Sequence, residues 1–122
     1  MGEIDSNERQ MAGVTTRAEN APRITRLMAL AVKFEGLIQQ GVVKDYAELA
    51  RLGQVSRARI TQIMNLLNLA PDIQEEILFL TGEGPAEQNL QETSVRRLSA
   101  EVIWSRQREQ WSQRLAQHAI KR

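Results

Sequence analysis

The chemistry-bearing residues of this chain crowd into one stretch, Ser56-Arg57-Ala58-Arg59-Ile60-Thr61-Gln62-Ile63-Met64-Asn65. On a helix, Ile60 and Ile63 share one side, while Ser56, Arg57, Ala58, Thr61, Gln62 and Asn65 project from the other. That outward set combines a short hydroxyl, a guanidinium, two carboxamides and a little apolar surface. A guanidinium pairs bidentately with the O6/N7 edge of guanine, and a carboxamide with the N6/N7 edge of adenine. An alanine or threonine methyl can rest on the thymine methyl, and a helix start aims backbone N–H groups at phosphate. Arg59 falls to the side of this face, where a sugar-phosphate contact suits it better than a base edge. The ligand expected for such a face is the major groove of double-stranded DNA.

A reading helix needs a second helix to hold it at a steep angle, and the preceding residues meet the demands of that pairing. Asp45 offers an N-cap with Glu48 three residues on, close to a capping box in which Asp replaces Ser or Thr. A short helix, Tyr46 to Leu52, follows. Ala50 is small where the second helix must cross it, and Leu49 joins Ile60 and Ile63 beneath. Gly53-Gln54-Val55 makes the turn. Either Gly53 or Gln54 takes the unusual backbone angles, and Val55 plugs the space below. Ser56 is placed to cap the second helix, which runs to about Asn68. An ordinary helical hairpin would have to fill all these positions by chance.

The flanks are helical too. Ile24, Leu27, Met28, Ala31, Phe34, Leu37 and Ile38 recur at three- and four-residue steps, and Gly41 ends their helix in the left-handed manner. Pro71 fits the first position of a further helix ending near Thr81. Asp72, Glu75 and Glu76 lie in its first turns, where the helix dipole favours acids. Residues 100–118 form a basic helix with Trp104, Trp111 and Leu115 in one stripe, and Ser94 and Ser99 are candidate caps before it. Strand patterns are absent. The expected fold is all-α: a multi-helix helix-turn-helix DNA-binding domain (23–80) with an additional basic C-terminal helical segment (94–122). A mobile segment (1–22) precedes it, and an acidic Gly/Pro-containing linker (81–93) divides the two helical parts.

Composition narrows the chemistry further. The 122 residues include no cysteine and a single histidine, His118, which leaves no basis for a disulfide, a thiolate site or a zinc site. No apolar run approaches the roughly 20 residues of a membrane span, so a cytoplasmic, nucleoid-associated protein is expected. The net charge of +1 conceals blocks: −2 over 1–22, +4 over 23–69, −6 over 70–92 and +5 over 93–122. Two basic blocks suit a polyanion. No catalytic constellation emerges. Asp72, Glu75 and Glu76 are explained by the dipole, and Gly82 and Gly84 lack the Lys-Ser/Thr of a phosphate loop. Neither an enzyme, a cofactor nor a metal is expected.

The stretch also resembles the helix-turn-helix domain of the ParB/KorB family of partition and repressor proteins. The resemblance covers about residues 24–80 and lies in Glu48-Leu-Ala50, Val55-Ser-Arg57, Ile60-Thr61-Gln62 and Leu66-Leu-Asn-Leu-Ala-Pro71. It implies that Ser56, Arg57, Thr61 and Gln62 occupy positions facing DNA. The usual turn glycine falls on Gln54, and nothing matches the family's N-terminal CTP-binding and clamp-forming region, so clamp activity is not implied. Arg96 to Trp111 looks like the tail of small ParB-like proteins from bacterial and mobile-element genomes. The implied role is a sequence-specific transcriptional regulator or accessory DNA-binding factor.

One reading helix covers about half a typical site, so a homodimer or a partner protein is expected, joined through residues 94–118. Trp104, Trp111 and Leu115 form a candidate interaction surface, although packing of the tryptophans against the first helix is the simpler reading. Arg106, Arg108 and Arg114 either grip phosphates or form a solvated charged face. Arg17, Arg23 and Arg26 suit either an arm toward a groove or a disordered tail. The competing function is a protein-interaction adaptor that docks through the C-terminal Trp/Arg helix, with the helix-turn-helix as scaffold.

Overall fold

The computed structural model contains no strand among the residues it describes, 21–82 and 90–120, with side chains through residue 115. The expected mobile segment falls outside these residues except for Ala21 and Pro22. So do the centre of the expected linker, the side chain of His118, and residues 121–122. Six α-helices follow in order: α1 (Arg23–Gln39), α2 (Tyr46–Gly53), α3 (Arg57–Met64), α4 (Pro71–Leu78), α5 (Glu92–Ser99) and α6 (Trp104–Ile120). A 3-10 turn, Asn65–Asn68, extends α3.

α1 is the central strut. Its apolar stripe of Ile24, Leu27, Met28, Ala31 and Phe34 is buried, together with Leu30, and Leu37 and Ile38 are half-buried at its far end. It packs against α3, the 3-10 turn, α4 and α5. Thr25, also buried, donates its hydroxyl to the Ile77 carbonyl at 2.7 Å. That bond spares α1 the cost of about 1–3 kcal/mol for an unpaired buried hydroxyl. Gly41 sits at φ 75°, with Val42 N–H donating to Leu37 O at 3.0 Å and Gly41 N–H to Ile38 O at 3.1 Å. This is the paired Schellman arrangement, which needs a residue free of a Cβ penalty at that position.

Three boundaries differ from expectation. α4 stops at Leu78, short of Thr81, and Phe79, its C-cap, is 75% exposed. α6 starts at Trp104, not near residue 100. Ser99 is the last residue of α5, where its hydroxyl donates to Arg96 O at 2.6 Å, so it caps nothing downstream. Ser94 lies inside the same helix. The cause is burial: Val95, Leu98 and Ser99 share one face of α5, and that face docks on the core. Glu101 Oε1 accepts the Ile103 N–H at 3.2 Å just ahead of α6.

Residues 90–93 also depart from linker behaviour. Leu90 is buried, and Glu92 opens α5. Val95, Leu98 and Trp111 belong to the same apolar cluster as α1 and α3, so α5 and α6 are built onto the first four helices.

Candidate nucleic-acid interface

Local chemistry sets up α2, the turn and α3. Asp45 Oδ1 accepts the Glu48 N–H at 3.0 Å, and Glu48 Oε1 accepts the Lys44 N–H at 2.8 Å. This is a reciprocal cap with the glutamate reaching one residue beyond the N-cap. α2 runs through Gly53, and Gln54 alone takes the left-handed conformation, φ 57° and ψ 41°. Of the two candidates for the turn, the non-glycine residue holds it. Val55 N–H then donates to Ala50 O at 3.1 Å, and Val55 packs half-buried beneath the turn. Ser56 Oγ accepts the Arg59 N–H at 3.0 Å and starts α3. Leu49, Ala50, Ile60 and Ile63 are all buried.

With Ile60 and Ile63 inward, Ser56, Arg57, Ala58, Thr61 and Asn65 are exposed. The Thr61 hydroxyl donates to Arg57 O at 3.2 Å. Gln62 and Arg59 are only half-exposed, and they belong to a different arrangement. Arg59 Nη1 donates to Gln62 Oε1 at 3.1 Å, and the same guanidinium grips Glu92 of α5, with Nη2 donating to Oε1 at 3.0 Å and Nη1 to Oε2. Arg59 was expected at the flank of the face, directed at sugar and phosphate. It is instead drawn against α5, its side chain 12% exposed.

Two further arginines join this cluster. Arg96 Nε lies 3.2 Å from Glu92 Oε2, and Arg23 Nη2 lies 3.8 Å from Oε1. Burial pushes the Glu92 carboxyl up, but the Arg59 hydrogen bond and charge, then the charges of Arg96 and Arg23, outweigh it, and its pKa lies below the ordinary value. The cluster walls an open groove of about 680 Å³ that also takes in Ser56, Ala58 and Gln62 of α3. Arg23, read as part of an arm or tail, is therefore placed at the root of α1 beside α3.

The C-terminal helix is organised differently. Trp111 is 3% exposed, and its indole N–H donates to the Glu76 carboxylate of α4. It is thus a core residue rather than an interaction surface, and its polar partner lies on α4 rather than α1. Leu115 packs half-buried against the same core. Trp104 is 46% exposed and donates its indole N–H to Asn68 O at 3.3 Å. Among the described residues of this region, the large exposed apolar side chains are Val102, Ile103 and Trp104.

Arg108 Nε donates to both Asp72 oxygens, at 3.1 and 2.9 Å, and that hydrogen bond holds the Asp72 carboxyl below its ordinary pKa. Arg106 comes within 4.0 Å of Glu101, and Arg114 is half-buried. Arg106 and Arg108, the candidate phosphate contacts of this helix, thus have carboxylate neighbours within the fold.

Gln107 is the residue that sequence reasoning missed. It is fully buried. Its Oε1 accepts the Ala70 N–H at 2.8 Å, and its Nε2 donates to Asn68 O at 3.2 Å and Glu101 O at 2.6 Å. It therefore fixes the chain between the 3-10 turn and α4. The signal was present, since Gln107 falls on the stripe of Trp104, Trp111 and Leu115 at three- and four-residue steps.

Among the described residues, no group of three or more His, Cys, Asp or Glu side chains could hold a metal ion, and no helix is long and apolar enough to cross a membrane. Comparison of the chain with protein-family models, curated proteins and solved structures gives no match.

Proposed function

We propose that this chain is a sequence-specific double-stranded DNA-binding protein that reads the major groove with α3. It would act as a transcriptional regulator or accessory factor of a bacterial or mobile-element genome. One observation carries this reading: α3 is anchored by Ile60 and Ile63 and exposes Ser56, Arg57, Ala58, Thr61 and Asn65 on its opposite side. These are the residue types that read base edges and thymine methyls. The short α2 and the tight turn at Gln54 support a helix-turn-helix, and the ParB/KorB-like motifs lie on these same elements. A single α3 covers half a typical operator, so the functional unit is a homodimer or a complex with a partner protein.

Site selection from random duplex with the purified protein is the test. It should enrich one motif, with affinity falling steeply as salt rises. Arg57→Ala should then cost about 1–3 kcal/mol on the selected site and relax preference at one base pair. Failure to retain duplex at low salt would overturn the reading.

The adaptor reading keeps one specific support, the exposed Val102, Ile103 and Trp104. It predicts no duplex binding at low salt and loss of a protein partner on Trp104→Ala. The burial of Trp111 reduces the surface on which it draws.

A further inference from the structure

Three guanidiniums from three helices meet at one carboxylate beside the exposed face of α3. Arg59 of α3 takes both oxygens of Glu92 as a fork on a fork, while Arg96 of α5 and Arg23 of α1 approach from the sides. Glu92 does not satisfy them all. Arg96 Nε is buried and, although 3.2 Å from Oε2, makes no hydrogen bond. The cluster is no closed interior pair, because it lines the groove shared with Ser56 and Ala58 at the start of α3.

A carboxylate and a DNA phosphodiester offer a guanidinium the same object: two oxygens sharing one negative charge. A phosphodiester carries two ester oxygens besides. The site therefore already holds an oxyanion, supplied by the protein, next to the face that reads bases. We propose that Arg59 and Arg96, flanked by Arg23, form a phosphodiester-binding site that Glu92 occupies in the free protein, and that a DNA strand beside α3 displaces the Glu92 carboxylate. This deepens, and rests on, the duplex-binding reading of α3. Its consequence is that Glu92 limits affinity. Each binding event trades one Arg59 oxyanion for another and leaves a freed carboxylate next to a polyanion.

The test is Glu92→Gln in the full chain, titrated with random-sequence duplex at low salt, with a thermal melt to confirm folding. The gain expected is about tenfold in affinity, the size of one charge-assisted contact. Arg59→Gln in the same background should abolish it. Glu92→Asp, which keeps the charge but withdraws the oxygens by one methylene, should give a smaller gain and serves if Glu92→Gln does not fold. Where the parent binds duplex, a folded variant that binds it no better overturns the proposal.

A second arm separates this site from the DNA-binding reading. Inorganic phosphate, against chloride at matched ionic strength, should raise the melting temperature of Glu92→Gln more than that of the parent. If no form binds duplex yet phosphate stabilises the variant, the oxyanion site stands and the duplex reading falls. If phosphate gives no such rise, the site is overturned.

Discussion

α3 and α6 look alike as sequence: each carries arginines and amides on one side and large apolar residues on the other. The fold uses them in opposite ways. α3 buries aliphatics and leaves Arg57, Thr61 and Asn65 in solvent. α6 turns two residues inward and ties a third at the surface: Trp111 goes into the core with a bond to Glu76, Gln107 clasps the chain at Asn68 and Ala70, and the exposed Arg108 is tied to Asp72. One helix presents and the other braces. A basic, tryptophan-bearing helix is thus no evidence of a binding surface until its partners inside the fold are known.

That contrast is open to direct attack. Trp111→Ala should cost about 3–5 kcal/mol in denaturant unfolding, as for other buried aromatic truncations. Trp104→Ala, seven residues earlier, should cost under about 1.5 kcal/mol because half its surface is already in water. Equal costs would break the distinction between the two tryptophans. Gln107→Leu should cost about 2 kcal/mol, since it strips partners from the buried Ala70 N–H and from two carbonyls. Arg57→Ala should leave stability within about 0.5 kcal/mol of the parent, so any loss of DNA affinity would belong to recognition and not to folding.

Gln54→Gly should stabilise by about 1 kcal/mol, because glycine removes the side-chain penalty at φ 57°. The acid response is the mildest test. The pKa values of Glu92 and Asp72 are both lowered in the folded state. Their contribution is therefore complete above the unfolded carboxylate values of about 4 and is lost as pH falls through the folded ones. The melting temperature should be level from neutral pH to about 5 and fall below that. In Glu92→Gln the fall should be shallower, and an unchanged profile would show that the cluster adds nothing to stability.

Features set within a turn of chain were legible in the sequence. Gly41, the Asp45–Glu48 cap, the Ser56 cap and Pro71 at the start of α4 stand where the residue types put them. Each is decided by groups three to five positions apart, so the local sequence contains the whole interaction. The apolar stripe of α1 and the inward pair Ile60 and Ile63 were legible for a similar reason, since helical period alone sorts inside from outside.

What tertiary structure decided lies between residues far apart in the chain. Arg59 meets Glu92 across 33 positions, Trp111 meets Glu76 across 35, and Gln107 meets Ala70 across 37. Periodicity shows that Arg59 stands beside the exposed face, but not that an α5 carboxylate waits there, and it places Gln107 on a buried stripe without naming the backbone groups that make burial tolerable. Sequence determined where α1 to α4 form and that Ser56, Arg57, Ala58, Thr61 and Asn65 face outward, but not that α5 opens at Glu92 or that Gln62 is drawn toward Arg59. Only the packing of α5 and α6 decided which of the polar side chains are engaged within the fold, because a charge or amide is satisfied by whatever the completed fold brings within hydrogen-bonding distance.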